Sequence, residues 1–131
     1  MPARDETFLV DLLDAAHLIH QFVTGMTQAA FEQDLMRQSA VMRQLEILGE
    51  AAKRISDPFR LAHPDIPWRQ MTGMRDILIH AYNHVDIAIV WNAAAISIPA
   101  LIKQLEFLVS QEDHAAHKEK DGKFESSPDS P

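Results

Sequence analysis

Apolar residues recur along this chain at alternating steps of three and four, the period of an amphipathic helix. Phe8, Leu12, Ala15, Ile19 and Phe22 form the first such stripe. The "TGMT" that follows breaks it, with Gly25 supplying a turn and Thr24 or Thr27 a cap. A second stripe runs through Leu35, Met42, Leu45, Ala52 and Ile55. It stops at Asp57-Pro58, where Asp as N-cap and Pro at the first helical position predict a short helix, "DPFRLAH". "PDIP" then forces an extended link, and Pro67 opens a third helical stretch, "PWRQMTGMRDILIH". After "AYNHV", Asp86 is placed to cap the last helix, along which Ile87, Trp91, Ala94, Ile98, Leu101, Leu105 and Leu108 repeat without a slip. Pro99 lies inside this register and removes the hydrogen bond to the Ala95 carbonyl, so one kinked helix or two coaxial pieces are expected there.

Long amphipathic segments joined by short links predict an all-α fold, an antiparallel helix bundle. The uncharged girth of the last helix exceeds what one small bundle hides, and a homodimer would cover the surplus. Periodicity ends after Ser110, where "QEDHAAHKEKDGKFESSPDSP" turns to charge, Ser and Pro. The expected organisation is therefore one helical domain over 1–110 and a disordered charged tail over 111–131. Trp68 and Trp91 fall within apolar patterns and read as core anchors, while His17 and His20 read as helix-face residues.

Composition adjusts this picture in three places. The chain has no cysteine, which excludes disulfides and thiolate metal sites and fits a reducing, cytoplasmic setting. Charges occupy the N-terminal stretch where the apolar core of a signal peptide would sit. The longest uncharged run, Ile87 to Ile102, is shorter than the ~20 residues of a membrane span, so it reads as a core helix. The net charge of −7 argues against generic nucleic-acid binding by a basic surface, so any RNA contact must come from a local cluster.

One such cluster exists. "RDILIHAYNHVD", Arg75 to Asp86, holds an arginine, two histidines, the only tyrosine and two aspartates in twelve residues. An arginine presents a permanently charged planar fork to phosphate oxygens, and a histidine can move a proton near neutral pH. Together they suffice for metal-free RNA cleavage, and Asp76 is placed to orient either partner. On an ideal helix Arg75 shares a face with Tyr82, whereas His80 points elsewhere; convergence needs the helix to end or distort near His80, or a second subunit. Two plainer readings compete: a histidine suited to the dipole of a helix C-terminus, and a zinc site from His80, His84 and Asp86. "HAYNH" lacks the glutamate of a zinc protease helix, and the tail histidines of "HAAH" have no preorganised partners. Glu50 and Arg54, one turn apart, are placed either to line a site cleft or to form a surface ion pair, and the second is the plainer reading.

Four blocks, "FVTGMTQAAFEQD", "QSAVMRQLEILGEAAKRIS", "HPDIPWRQMTGMRDILIHAY" and "VDIAIVWNAAAISIPALIKQ", resemble in order the HepT family. These are HEPN-superfamily toxins encoded beside a minimal nucleotidyltransferase antitoxin, MntA. The resemblance spans about Arg4 to Leu108 and implies a bundle of four to five helices, a homodimeric, metal-independent endoribonuclease without a cofactor. It assigns the Arg-x4-His pattern to Arg75 and His80, with Asp76 as the polar residue after the arginine, where many relatives carry asparagine. It also implies that Tyr82, two residues after the histidine, accepts AMP from the partner nucleotidyltransferase, which silences the nuclease. The rival expectation is a non-catalytic module whose cluster binds a nucleotide or docks the nucleotidyltransferase.

Overall fold

The first stripe does form one long helix, and what its apolar face packs against organises the rest of the molecule. The computed structural model describes residues 3–81 and 84–125, with side chains described as far as residue 112. In order, the chain forms α1 (Ala3–Val23), α2 (Gln28–Glu32), α3 (Leu35–Arg54), α4 (Asp57–Ala62), α5 (Trp68–His80) and α6 (Ile87–Asn92). A π-helical segment (Ala93–Ser97) then leads into α7 (Ile98–Glu125). No strand occurs among the described residues, and the fold is all-helical as the periodicity predicts.

Helix α3 packs against both α1 and α5, and α7 also packs against α1. Leu12, Ala15, Ile19, Leu45, Ala52, Ile55, Ala94, Ile98, Leu101, Leu105 and Leu108 from the sequence stripes are all buried. The buried face of α1 is rotated slightly from the expected stripe. Leu9, Ala16 and Val23 are enclosed, while Phe8 and Phe22 are only half-buried at its edge. Trp68 is buried and donates its indole N–H to the His63 carbonyl at 2.9 Å; half-buried Trp91 tilts onto Phe31 with ring centroids 5.4 Å apart.

The caps explain where the helices start. Gly25 adopts φ 80° and turns the chain, and Thr27 caps the short α2, an element the sequence pattern did not suggest. Five residues carry too little periodicity to be read. Buried Gln38 ties off the end of α2 by donating to the carbonyls of Phe31 and Glu32 at 2.9 and 3.1 Å. The cap of α4 is Ser56 and not Asp57, which with Pro58 sits in the first turn. Ser56 takes the role because its hydroxyl accepts the Phe59 N–H while also donating to buried Asp5 at 2.6 Å; its own N–H meets the other Asp5 oxygen at 2.9 Å. Asp5 thus fastens the start of α1 to the α3–α4 corner. Hydrogen bonds to a charged group of this kind are each worth about 1.5–3 kcal/mol. Asp86 caps α6 as expected, accepting the Ala88 N–H at 2.9 Å.

The proline-bearing helix resolves in a specific way. Pro99 has no N–H to offer, and the turn before it widens to π geometry, with the Ile98 N–H bonding back to the Ala93 carbonyl. The stretch Ile87–Glu112 is consequently continuous and, by length and composition alone, long enough to cross a membrane, contrary to the shorter span read from the sequence. Its Val90, Ala94, Ile98, Leu101 and Leu105 nevertheless lie in the protein core. Helix α7 also runs on to Glu125, so the composition change at residue 111 is not the end of an element.

Candidate active site

Helix α5 ends at His80, with Ala81 as its C-cap. Both Arg75 and His80 therefore lie on one regular helix, five residues apart, and no contact between their side chains occurs among the described residues. Arg75 leaves α5 one helical turn and a half earlier, on the side facing α3. Its side chain is 22% exposed, and its Nε lies 2.7 Å from Glu50 Oε2 while Nη1 lies 3.0 Å from Asp76 Oδ1. Glu50 in turn accepts from Arg54 Nε at 3.1 Å through its other oxygen. The ion pair expected between Glu50 and Arg54 is there, but Glu50 is also the cross-helix partner of Arg75. The hydrogen bond from Arg54 is the main influence that holds the Glu50 carboxyl below its ordinary value of 4.5; desolvation opposes it, and the charges of Arg75 and Arg54 and then the hydrogen bond of Arg75 add to the lowering.

His80 is exposed, and its Nδ1 lies 2.8 Å from the Asp76 carbonyl oxygen. A carbonyl can only accept, so Nδ1 carries the proton, and Nε2 is the nitrogen left to exchange a proton with a substrate. Asp76 accordingly serves both neighbours, its carboxylate touching Arg75 and its main-chain oxygen touching His80. Tyr82 lies outside the described residues.

Arg75 opens onto a groove of about 440 Å³ between α1, α3 and α5 whose charged lining is Asp11, Arg43, Glu46, Glu50, Arg54 and Arg75. Three arginines balance three acids there, so this groove is neutral in a chain whose net charge is −7. Phe8 and Ile47 give it apolar walls, and the Arg54 guanidinium sits 5.9 Å from the centre of the Phe8 ring. The zinc reading finds no structural support, because among the described residues no three His, Cys, Asp or Glu side chains are gathered as a metal set.

Glu50, weighed from the sequence as lining a cleft or as half of a surface pair with Arg54, does both, but its contact with Arg75 was not read. Gly49 was not singled out at all: a Cβ there would fall 2.7 Å from the Met71 carbonyl oxygen and collide with the Cβ of Arg75. The missing side chain lets α5 approach α3 at the level of Arg75, which brings the arginine to Glu50. A glycine in the middle of a helix costs roughly 1 kcal/mol relative to alanine, and that penalty was the available signal for a close approach.

The profile of the family described as "Ribonuclease HepT-like" matches residues 12–108. A protein of Thermococcus cleftensis named "Probable ribonuclease HepT" is 42% identical over 108 residues, covering 82% of this chain and 98% of its own. "Putative RNase MJ1380" of Methanocaldococcus jannaschii is 36% identical over 109 residues, 82% of this chain and 100% of its own. "Putative RNase TTE0752" of Caldanaerobacter subterraneus is 35% identical over 105 residues, 80% and 94% of the two chains. No solved structure matches the chain. With its motif blocks, its all-helical fold and a match over most of its length, this chain belongs to the ribonuclease HepT-like family.

Proposed function

We propose that the chain is a metal-independent endoribonuclease, the toxin of a HepT/MntA-type pair, acting in the cytoplasm with Arg75, His80 and Asp76 as its site. The observation that carries this reading is Asp76 in contact with both of the other two, with Nε2 of His80 left uncommitted. Relatives named as ribonucleases at 35–42% identity support it.

The chemistry follows from the atoms available. Nε2 of His80 takes the proton of an RNA 2′-hydroxyl, and the 2′-oxygen attacks the adjacent phosphorus. The P–O5′ bond breaks, and the departing 5′-oxygen receives a proton from the imidazolium or from water. The products are a 2′,3′-cyclic phosphate and a 5′-hydroxyl end. Arg75 faces the negative charge that builds on the phosphoryl oxygens in the transition state, and Asp76 holds the histidine tautomer and the arginine in place.

Silencing belongs to the same proposal. Tyr82 is the only tyrosine in the chain. Its hydroxyl attacks the α-phosphorus of ATP bound to a minimal nucleotidyltransferase partner, losing its proton as pyrophosphate leaves. The resulting phosphodiester places a negative charge two residues from His80, where it repels an RNA backbone. The working unit is taken as a homodimer of the 1–110 domain, an extent supported by the family match ending at residue 108.

The test is RNA cleavage by unmodified protein in excess EDTA beside an identically prepared His80→Ala sample. Cleavage by the wild type alone is expected. Cleavage by neither, with an intact mass showing no AMP, would replace the enzyme with a module that docks the nucleotidyltransferase. Equal cleavage by both would remove His80 from the site.

A further inference from the structure

We infer that Glu50 is the positioning residue of this site: it fixes the Arg75 guanidinium from the Nε side so that the Nη2 end faces the phosphate. The inference rests on the ribonuclease reading for its consequence, but its structural basis is independent of it.

An arginine has five N–H donors on a planar head carried by a flexible stem. Here the stem is confined at its root, because Arg75 Cβ abuts the bare backbone of Gly49. The head is confined on two sides, by Glu50 at 2.7 Å from Nε and by Asp76 at 3.0 Å from Nη1. No hydrogen bond from Nη2 is formed among the described residues. Glu50 is itself braced from behind by Arg54 at 3.1 Å, so it does not swing freely with Arg75. The result is a charged fork with one edge occupied and one end open. A phosphate that meets it finds the donor already oriented, and the cost of ordering the arginine does not fall on the reaction. Asp76 alone would not achieve this, since it is the adjacent residue on the same helix and is 57% exposed.

The experiment compares wild type, Glu50→Gln, Glu50→Ala and Arg75→Ala by two readouts. The first is the Nε–H resonance of Arg75 in nitrogen-edited NMR, assigned by its loss in Arg75→Ala. The second is single-turnover RNA cleavage at saturating protein. Glu50→Ala is expected to erase the exchange protection of that resonance and to slow cleavage on the order of 10- to 100-fold, with substrate affinity moved much less. Glu50→Gln keeps an acceptor at the same place and is expected to lose less on both counts. Circular dichroism melts check that each variant is folded; were Glu50→Ala to unfold, Glu50→Gln carries the comparison through its rate. Cleavage by either folded variant at the wild-type rate or faster would overturn the inference, the faster case meaning that Glu50 competes with the phosphate.

If wild type itself fails to cleave RNA, the ribonuclease reading falls separately. The resonance then decides the role of Glu50. Loss of its exchange protection in folded Glu50→Ala would support the inference, and protection equal to wild type would end it.

Discussion

Glu50 carries its charge between two guanidiniums, and this sets how the site responds to acid. A carboxyl held below 4.5 in the folded protein contributes its ion pairs in full above the unfolded value and loses them as pH falls through the lower, folded value. The pair with Arg75 is therefore expected to be lost with a midpoint below pH 4.5. Following the Arg75 Nε–H resonance during an acid titration checks this, and a midpoint at or above pH 4.5 would contradict it. The same residue marks the limit of what was readable along the chain. Arg75, Asp76 and His80 lie within six consecutive positions on one helix, so their residue types suggest a chemistry, although the spacing alone does not bring Arg75 and His80 to one face. Glu50 is far away in sequence and has an ordinary helical partner in Arg54. Nothing in its neighbourhood announces that its second oxygen faces another helix.

At the level of elements, that contact depends on how closely α3 and α5 approach. Introducing Gly49→Ala improves local helix propensity by up to about 1 kcal/mol. It also forces a methyl group against the Met71 carbonyl and the root of Arg75, neither of which is the free end of a flexible side chain. Overpacking of this kind costs about 1–3 kcal/mol, so the two helices are expected to part slightly and the Arg75–Glu50 pair to weaken. The measurable outcome is a lowered midpoint of thermal unfolding together with slower RNA cleavage; a variant at least as stable and as active as wild type would show that the approach has slack. The elements themselves were largely legible, because α1, α3, α5 and the last helix each carry a long apolar period. The exceptions have local causes. Helix α2 is too short to have a period, the α4 cap shifts to Ser56 because of Asp5, distant in sequence but adjacent in space, and the π segment reflects a missing donor at Pro99 whose accommodation depends on the backbone around it.

Across the whole molecule, apolar surface remains that one chain leaves open. Ile77 and Ile89 are 52% and 49% exposed, and they border a groove of about 420 Å³ floored by Met71, Met74, Ile98 and Leu101. That groove lies on the face of α5 away from Glu50 and joins α5 to the last helix, which is where the sequence pattern already suggested that a second copy is needed. Two chains of net charge −7 also repel one another, so such a dimer must rest on apolar contact and strengthen as salt screens the repulsion. Light scattering is expected to give twice the 14.8 kDa mass of the chain, with dissociation at low concentration suppressed by added salt. Ile89→Asp, which adds a charge to the groove without touching Arg75 or His80, is expected to yield a helical single chain. A single-chain mass for wild type would remove the homodimer from the proposed function. A doubled mass that survives Ile89→Asp would keep the dimer and move its interface to another face, leaving this groove to be explained by other means.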